Sequence, residues 1–216
     1  MASSTSKLLP LSPDTQGGGN PCECRKPQDR SPALKALLLF LVFSLQLSFF
    51  SYVALHRFID GDEGFFLVAA RLVIEHKKPY IDFLFEQAPL FPYVYALWLK
   101  CFGVTWTSAR LFAALLTSVT GTLLCDEVWY QTRQWLAGVC AATMFAGSML
   151  IFGFFPVAKT FSLAGLLVFA AYVVVSRLTS SSRGWLAGFG GLLLGLSIDI
   201  RSYLLVVGPL FLWWIF

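Results

Sequence analysis

Residues 36–55 read ALLLFLVFSLQLSFFSYVAL, twenty positions without a charge. Coiled into a helix, a run of that length crosses the roughly 30 Å hydrocarbon core of a bilayer. Apolar runs recur at 106–129, 135–154, 161–176, 185–198 and from 203 onward. Across the whole chain 57% of residues are hydrophobic, 13% are charged, and the mean hydropathy is +0.70. Soluble domains carry about a quarter charged residues. A water-soluble globule of 216 residues must face water over much of its area and could not hide so much apolar surface. The predicted fold class is therefore all-α, a polytopic transmembrane helical bundle of about six spans.

The flanks of the first run set its orientation. Residues 1–33 are rich in Ser, Pro, Gly and charge, with Gly17, Gly18 and Gly19 ahead of Pro21. That composition predicts a disordered tail. It is too long and too polar for the n-region of a signal peptide, so the first run is expected to stay as an anchor. Arg25, Lys26, Arg30 and Lys35 precede it. Excess Lys and Arg mark the cytoplasmic side, which puts the tail inside and the residues after Leu55 outside. Later basic connections agree, since Arg133 and the Arg177–Arg183 loop then also fall inside. Residues 34–216 form the predicted transmembrane domain. Residues 203–216 are almost wholly apolar and stop without a polar flank, so the domain is expected to be the N-terminal part of something longer.

Half of the twelve acids fall between the first two spans: Asp60, Asp62, Glu63, Glu75, Asp82 and Glu86. Residues 64–76 place Phe65, Val68, Ala69, Leu72 and Val73 on one helical face with Arg71 and Glu75 elsewhere, as in a helix lying in the interface. Residues 90–99 are apolar and aromatic, but Lys100 ends them at about half a membrane thickness. They are read as a second interfacial or re-entrant helix in the same extracytoplasmic loop.

Asp60, Asp62 and Glu63 lie just past the first span. Either aspartate could cap the following helix, and Glu63 suits its dipole. One helix needs only one cap, however. A partly desolvated carboxylate at a membrane surface can act as a general base. The D-x-D spacing of Asp60 and Asp62 could also hold a divalent metal through a sugar phosphate, as a weak three-residue signal. Glu86 and Gln87 precede Pro89, which sits well at a helix start. Lys159 and Arg201 stand at outer helix ends, either as interface anchors or as partners for a phosphate. Asp199, two residues from Arg201, is the intramolecular alternative. Asp126 and Glu127 fall near the cytoplasmic end of a span and are read as solvated. Gly184, Gly188, Gly191 and Gly195 recur at small-xxx-small spacing and predict helix packing.

Cys22 and Cys24 form a C-x-C without visible metal or redox partners, while Cys101, Cys125 and Cys140 read as small buried hydrophobes. No phosphate-binding loop or H-E-x-x-H is present. The net charge of +4 is mostly topology charge and does not point to nucleic acid. A transporter would be expected to carry ionisable groups at mid-membrane or paired broken helices. The spans carry almost none. A flippase-like protein and an inactive membrane scaffold remain the alternatives.

The pieces Asp62-Glu63, Ala69-Ala70, Lys78-Pro79-Tyr80-Ile81-Asp82-Phe83, Glu86-Gln87-Ala88-Pro89-Leu90, Phe102-Gly103 and Ala109-Arg110-Leu111 occur in that order. Their order and spacing resemble the polytopic GT-C glycosyltransferases, in particular the group related to protein O-mannosyltransferases and bacterial lipid A aminoarabinose transferases. The resemblance covers roughly residues 36–216. It implies sugar transfer from a polyprenyl- or dolichyl-phosphate donor to an acceptor on the non-cytoplasmic face. It also implies that Asp62, with Glu63 beside it, lies at the active site and activates the acceptor. Glu86 and Gln87 map to a substrate-binding motif. Two departures stand out. Gln87 replaces a lysine common in relatives, and Ala88-Pro89 replaces a proline pair. The phosphate contact is then expected from Lys159 or Arg201. Short loops and a tail of mixed charge favour a bacterial inner membrane, with the endoplasmic reticulum as the alternative in a eukaryote.

Overall fold

Pro32 opens the first helix, where its missing N–H costs nothing and its fixed φ suits the first turn. From there the computed structural model describes residues 32–58, 61–177 and 183–215, and every regular element among them is helical. The tail at residues 1–31 lies outside the described residues. Helix α1 runs Pro32–His56, α2 Gly61–Ile74, α3 Leu90–Phe102 and α4 Trp106–Thr132. They are followed by α5 Trp135–Gly147, α6 Met149–Phe154, α7 Thr160–Ser176 and α8 Arg183–Ile200. A 3₁₀ turn, η1, covers Ser202–Val206, and α9 covers Val207–Ile215.

Helices α1 and α4 are long and apolar enough to cross a membrane. With 25 and 27 residues they are about 37 and 40 Å long. Leu37, Phe40, Leu45 and Tyr52 on α1 are each more than 60% exposed. Large apolar side chains left open in a row mark a surface meant to be covered by something apolar.

Several boundaries follow from local chemistry. The Thr105 side chain accepts from the Ser108 N–H and caps α4. Arg133 adopts φ 58 at the other end, and its N–H returns to Trp129 O. Gly103, at φ 93, ends α3 in a conformation that a β-carbon would strain. Ser148 takes an extended ψ of 126 and breaks the predicted 135–154 span into α5 and α6. The last predicted span differs more. Ser202–Val206 forms a five-residue 3₁₀ turn, so the helix begins at Val207 rather than at Tyr203. Pro209 lacks the N–H that a continuous helix would use. The two loop helices predicted at 64–76 and 90–99 are present as α2 and α3.

Charged side chains gather at two ends of the bundle. At one, Lys35 of α1 meets Asp126 of α4 at 2.6 Å, and Arg177 beyond α7 meets Asp126 at 2.7 Å and Glu127 at 2.9 Å. At the other, the C-terminus of α1 and the N-termini of α2, α4 and α7 come together through Arg110, Glu63, Asp62 and Lys159. Between the ends, residues 36–55, 111–125, 135–158, 160–176 and 184–198 carry no charge. Helices α1 and α4 therefore run antiparallel, and α7 runs with α4.

Two predicted details change. Glu127 is buried, with Arg177, Ser176 and Gln131 on its oxygens, and it is not a solvated surface acid. A β-carbon at Gly184, Gly188, Gly191 or Gly195 would meet open space, so that stripe does not face a neighbouring helix. The glycine that lets α8 approach α7 is Gly190, where a β-carbon would stand 2.9 Å from Val175 Cγ2. Spacing alone selected the wrong face, because the stripe is 100° or more away from the contact line on the helix wheel by the roughly 3.6-residue repeat.

Candidate functional site

The short α2 and α3 helices are held by aromatic packing. Phe66 stacks edge-on against Phe85 and Phe91, Phe91 lies over Tyr95, and Tyr95 meets Phe112 of α4 at 5.0 Å. Phe85, Phe91, Tyr95 and Leu99 are buried, so this layer fixes the α2–α3 pair against α4 and α7. The N-terminus of α2 is thereby set beside the ends of α1, α4 and α7.

Glu63 and Arg110 form the centre of that junction. Arg110 Nε donates to Glu63 Oε2 at 2.9 Å and Nη2 donates to Oε1 at 3.0 Å. Its remaining donors go to the carbonyls of Ala54 at 2.9 Å, Arg57 at 3.0 Å and Phe58 at 3.1 Å. All five guanidinium hydrogens thus have an acceptor. Trp106 Nε1 adds a bond to Glu63 Oε2 at 2.7 Å. Glu63 is wholly buried and both its oxygens are engaged. It holds α2 to α4 while Arg110 satisfies the open carbonyls at the end of α1.

Asp62 is one residue away and points outward. Its side chain is 75% exposed, and Oδ2 accepts from Lys159 Nζ at 2.9 Å. Lys159 is the residue before α7, and its side chain is 10% exposed. An ammonium that deep reaches a solvent-facing carboxylate only because the preceding Pro156, Val157 and Ala158 are packed inside. The pair joins residues 97 apart in the sequence.

Arg201 lies next to Thr160, the first residue of α7, and its Nε donates to Thr160 Oγ1 at 2.5 Å. Its guanidinium sits over the Phe161 ring at 3.9 Å, and among the described residues its terminal nitrogens have no hydrogen-bond partner. Asp199 does not serve it. Asp199 Oδ2 accepts from the Leu90 N–H at 3.2 Å and closes the N-terminus of α3 from another helix. Arg201, Glu86 and Gln87 border one polar cavity of about 200 Å³, with Ala88, Ser202 and Tyr203. Glu86 is exposed, and Gln87 Oε1 is buried without a partner among the described residues. Partial burial and the Asp199 carboxylate push the Tyr80 phenol up, so it stays protonated and donates to the Gln87 carbonyl.

The predicted residues thus fall into three neighbouring groups. Asp62 and Lys159 form a pair, and Glu86, Gln87 and Arg201 line a cavity. Glu63 lies beneath, committed to Arg110. Asp60 lies outside the described residues, and with it the Asp60–Asp62 metal pair. Asp62 Oδ2 meets an ammonium at the position a cation would take. Arg110 and Thr160 were not singled out by sequence as site residues. Arg110 carried a signal, being a lone arginine near the start of an apolar helix, which demands a partner. Thr160 carried none. No family model matches the chain, and neither does any curated protein or solved structure.

Proposed function

We propose that the chain is a multi-pass membrane glycosyltransferase that moves one sugar from a polyprenyl- or dolichyl-phosphate donor to an acceptor hydroxyl on the non-cytoplasmic face. The observation that carries this reading is the Asp62–Lys159 contact at 2.9 Å, with Arg201 at the adjoining end of α8. A carboxylate to take a proton and two cations to hold a phosphate stand together at one level of the bundle. The uncharged stretches between the two charged ends support helices crossing lipid, with Lys35 and Arg177 inside and Asp62 outside. Helices α1, α4, α5 with α6, α7 and α8 would each cross once, and the segment after Arg201 would begin a sixth passage.

The chemistry balances simply. The acceptor oxygen attacks the anomeric carbon while the bond from that carbon to the phosphate oxygen breaks. The hydroxyl proton passes to Asp62, and the electron pair leaves on the lipid phosphate. Lys159 and Arg201 neutralise that growing charge. In the resting protein Lys159 occupies Asp62. An arriving phosphate competes for the ammonium and releases the carboxylate to act as base. Glu63 touches neither reactant and serves as a positioning residue, because its bond to Arg110 fixes the turn that presents Asp62.

The test is reconstitution in liposomes with a panel of polyprenyl-phosphate monosaccharides and a lipid acceptor extract. The parent protein is expected to consume donor, and Asp62→Asn is expected to lose at least about a hundredfold in rate. Equal turnover by the two removes Asp62 as the base. Turnover by neither, with any donor, removes the assignment.

A further inference from the structure

The connection between α2 and α3 carries apolar residues where turns are ordinarily polar. Ile81 and Leu84 stand at its tip, 78% and 79% exposed. The turn is braced and does not fold them inward. The Tyr80 N–H donates to the Phe83 carbonyl, and the Ile81 and Asp82 N–H groups both donate to the Lys78 carbonyl. Pro79 and Phe85, on either side of the tip, are buried, and Phe85 lies in the aromatic layer against Phe65 and Phe66. Tyr80 adopts φ 67, a conformation that a bulky side chain disfavours, and its hydroxyl is tied to the Gln87 carbonyl.

Lys77 and Lys78 precede the tip, both exposed and without an ion pair among the described residues. The acids beside them are committed elsewhere: Glu75 pairs with Arg71, and Asp82 accepts the Lys78 N–H at 2.7 Å. The level of the turn is set by α8. The Leu90 N–H donates to Asp199, just past the point where the uncharged stretch 184–198 stops. In a chain that crosses lipid, that level is the headgroup layer. Two aliphatic side chains presented outward beside two unpaired cations match a surface with hydrocarbon beneath and negative charge above, which is an anionic lipid leaflet.

We infer that residues 76–84 form a wedge that enters the outer leaflet at Ile81 and Leu84 and is held there by anionic phospholipid headgroups on Lys77 and Lys78. This rests on the multi-pass reading and is independent of the transfer reaction. Glu86 and Gln87 follow the wedge directly, so lipid bound there fixes the mouth of the Glu86–Arg201 cavity against the membrane surface.

The test uses the full chain in phosphatidylcholine nanodiscs doped with equal traces of phosphatidylglycerol or phosphatidylcholine, each bearing a diazirine in its acyl chain. Each lysine at an anionic surface contributes a factor of about five, so the phosphatidylglycerol probe should label Ile81 and Leu84 at least about tenfold more than the other. Both probes should label the exposed side chains of α1 alike. Lys77→Gln/Lys78→Gln should bring the two probes level at the turn while the protein keeps its melting temperature, since both side chains are exposed. Equal labelling of the turn by both probes in the parent overturns the inference, and so does a preference that survives in the double variant. Labelling of α1 without labelling of the turn overturns it while leaving the multi-pass reading intact. No labelling of α1 by either probe removes both.

Discussion

Replacing Arg110 by Met isolates the junction on which the site is built. Glu63 is wholly buried, and two of its contacts, at 2.9 and 3.0 Å, come from Arg110. Methionine keeps much of the volume and removes the charge. Glu63 then retains only the Trp106 bond, and the carbonyls of Ala54, Arg57 and Phe58 lose a donor. Leaving one half of a buried ion pair uncompensated costs about 3–5 kcal/mol. For a chain of this size each kcal/mol moves Tm by about 2–4 °C, so Arg110→Met should lower Tm by roughly 6–20 °C. The double variant Glu63→Met/Arg110→Met removes both charges and should recover much of that loss, since an apolar pair can replace a buried ionic one. Arg110→Lys should fall between, because an ammonium cannot span both carboxylate oxygens and three carbonyls. Thermal unfolding in detergent followed by tryptophan fluorescence reads all four proteins. A single variant within about 2 °C of the parent, or a double variant as damaged as the single, would refute the argument that an unpaired Glu63 dominates.

Further outcomes follow from the same contacts. Lys159→Gln should weaken binding of undecaprenyl phosphate about tenfold by titration calorimetry, as expected for loss of one charged contact. Asp62→Asn should leave Tm within about 2 °C of the parent while abolishing turnover, because its side chain is 75% exposed. Asp199→Ala should cost about 1 kcal/mol in unfolding free energy through the lost cap on α3, with protection of the Leu90 amide falling in hydrogen exchange. Gly190→Leu should separate α7 from α8 and lower Tm by several degrees, whereas Gly191→Leu should be nearly neutral, since a β-carbon there meets open space.

Much of the helical order was legible because it depends on local quantities. Uncharged runs and the spacing of Phe65, Val68 and Leu72 placed α1, α2, α4 and α7 within a few residues. Turn chemistry at single residues was harder to read. Ser148 interrupts a run whose hydropathy is continuous, and the 3₁₀ turn over Ser202–Val206 moves the start of the last helix to Val207. Glycine spacing pointed at a packing face, yet the contact runs through Gly190, because which side of α8 meets α7 depends on how the whole bundle docks.

The sequence by itself determined an all-helical chain with its charges confined to the ends of apolar segments, because hydropathy and charge are properties of each residue in order. It also marked Asp62, Glu63 and their neighbours as unusual. Only the family resemblance put Asp62 ahead of Glu63, and nothing in composition or spacing separated their environments. Tertiary structure did, by turning Glu63 inward to Arg110 and Asp62 outward to Lys159. Successive residues on a helix point about 100° apart, so neighbours in sequence can face opposite environments. Which of them meets a cation from α4 and which from α7 is settled only when those helices are packed.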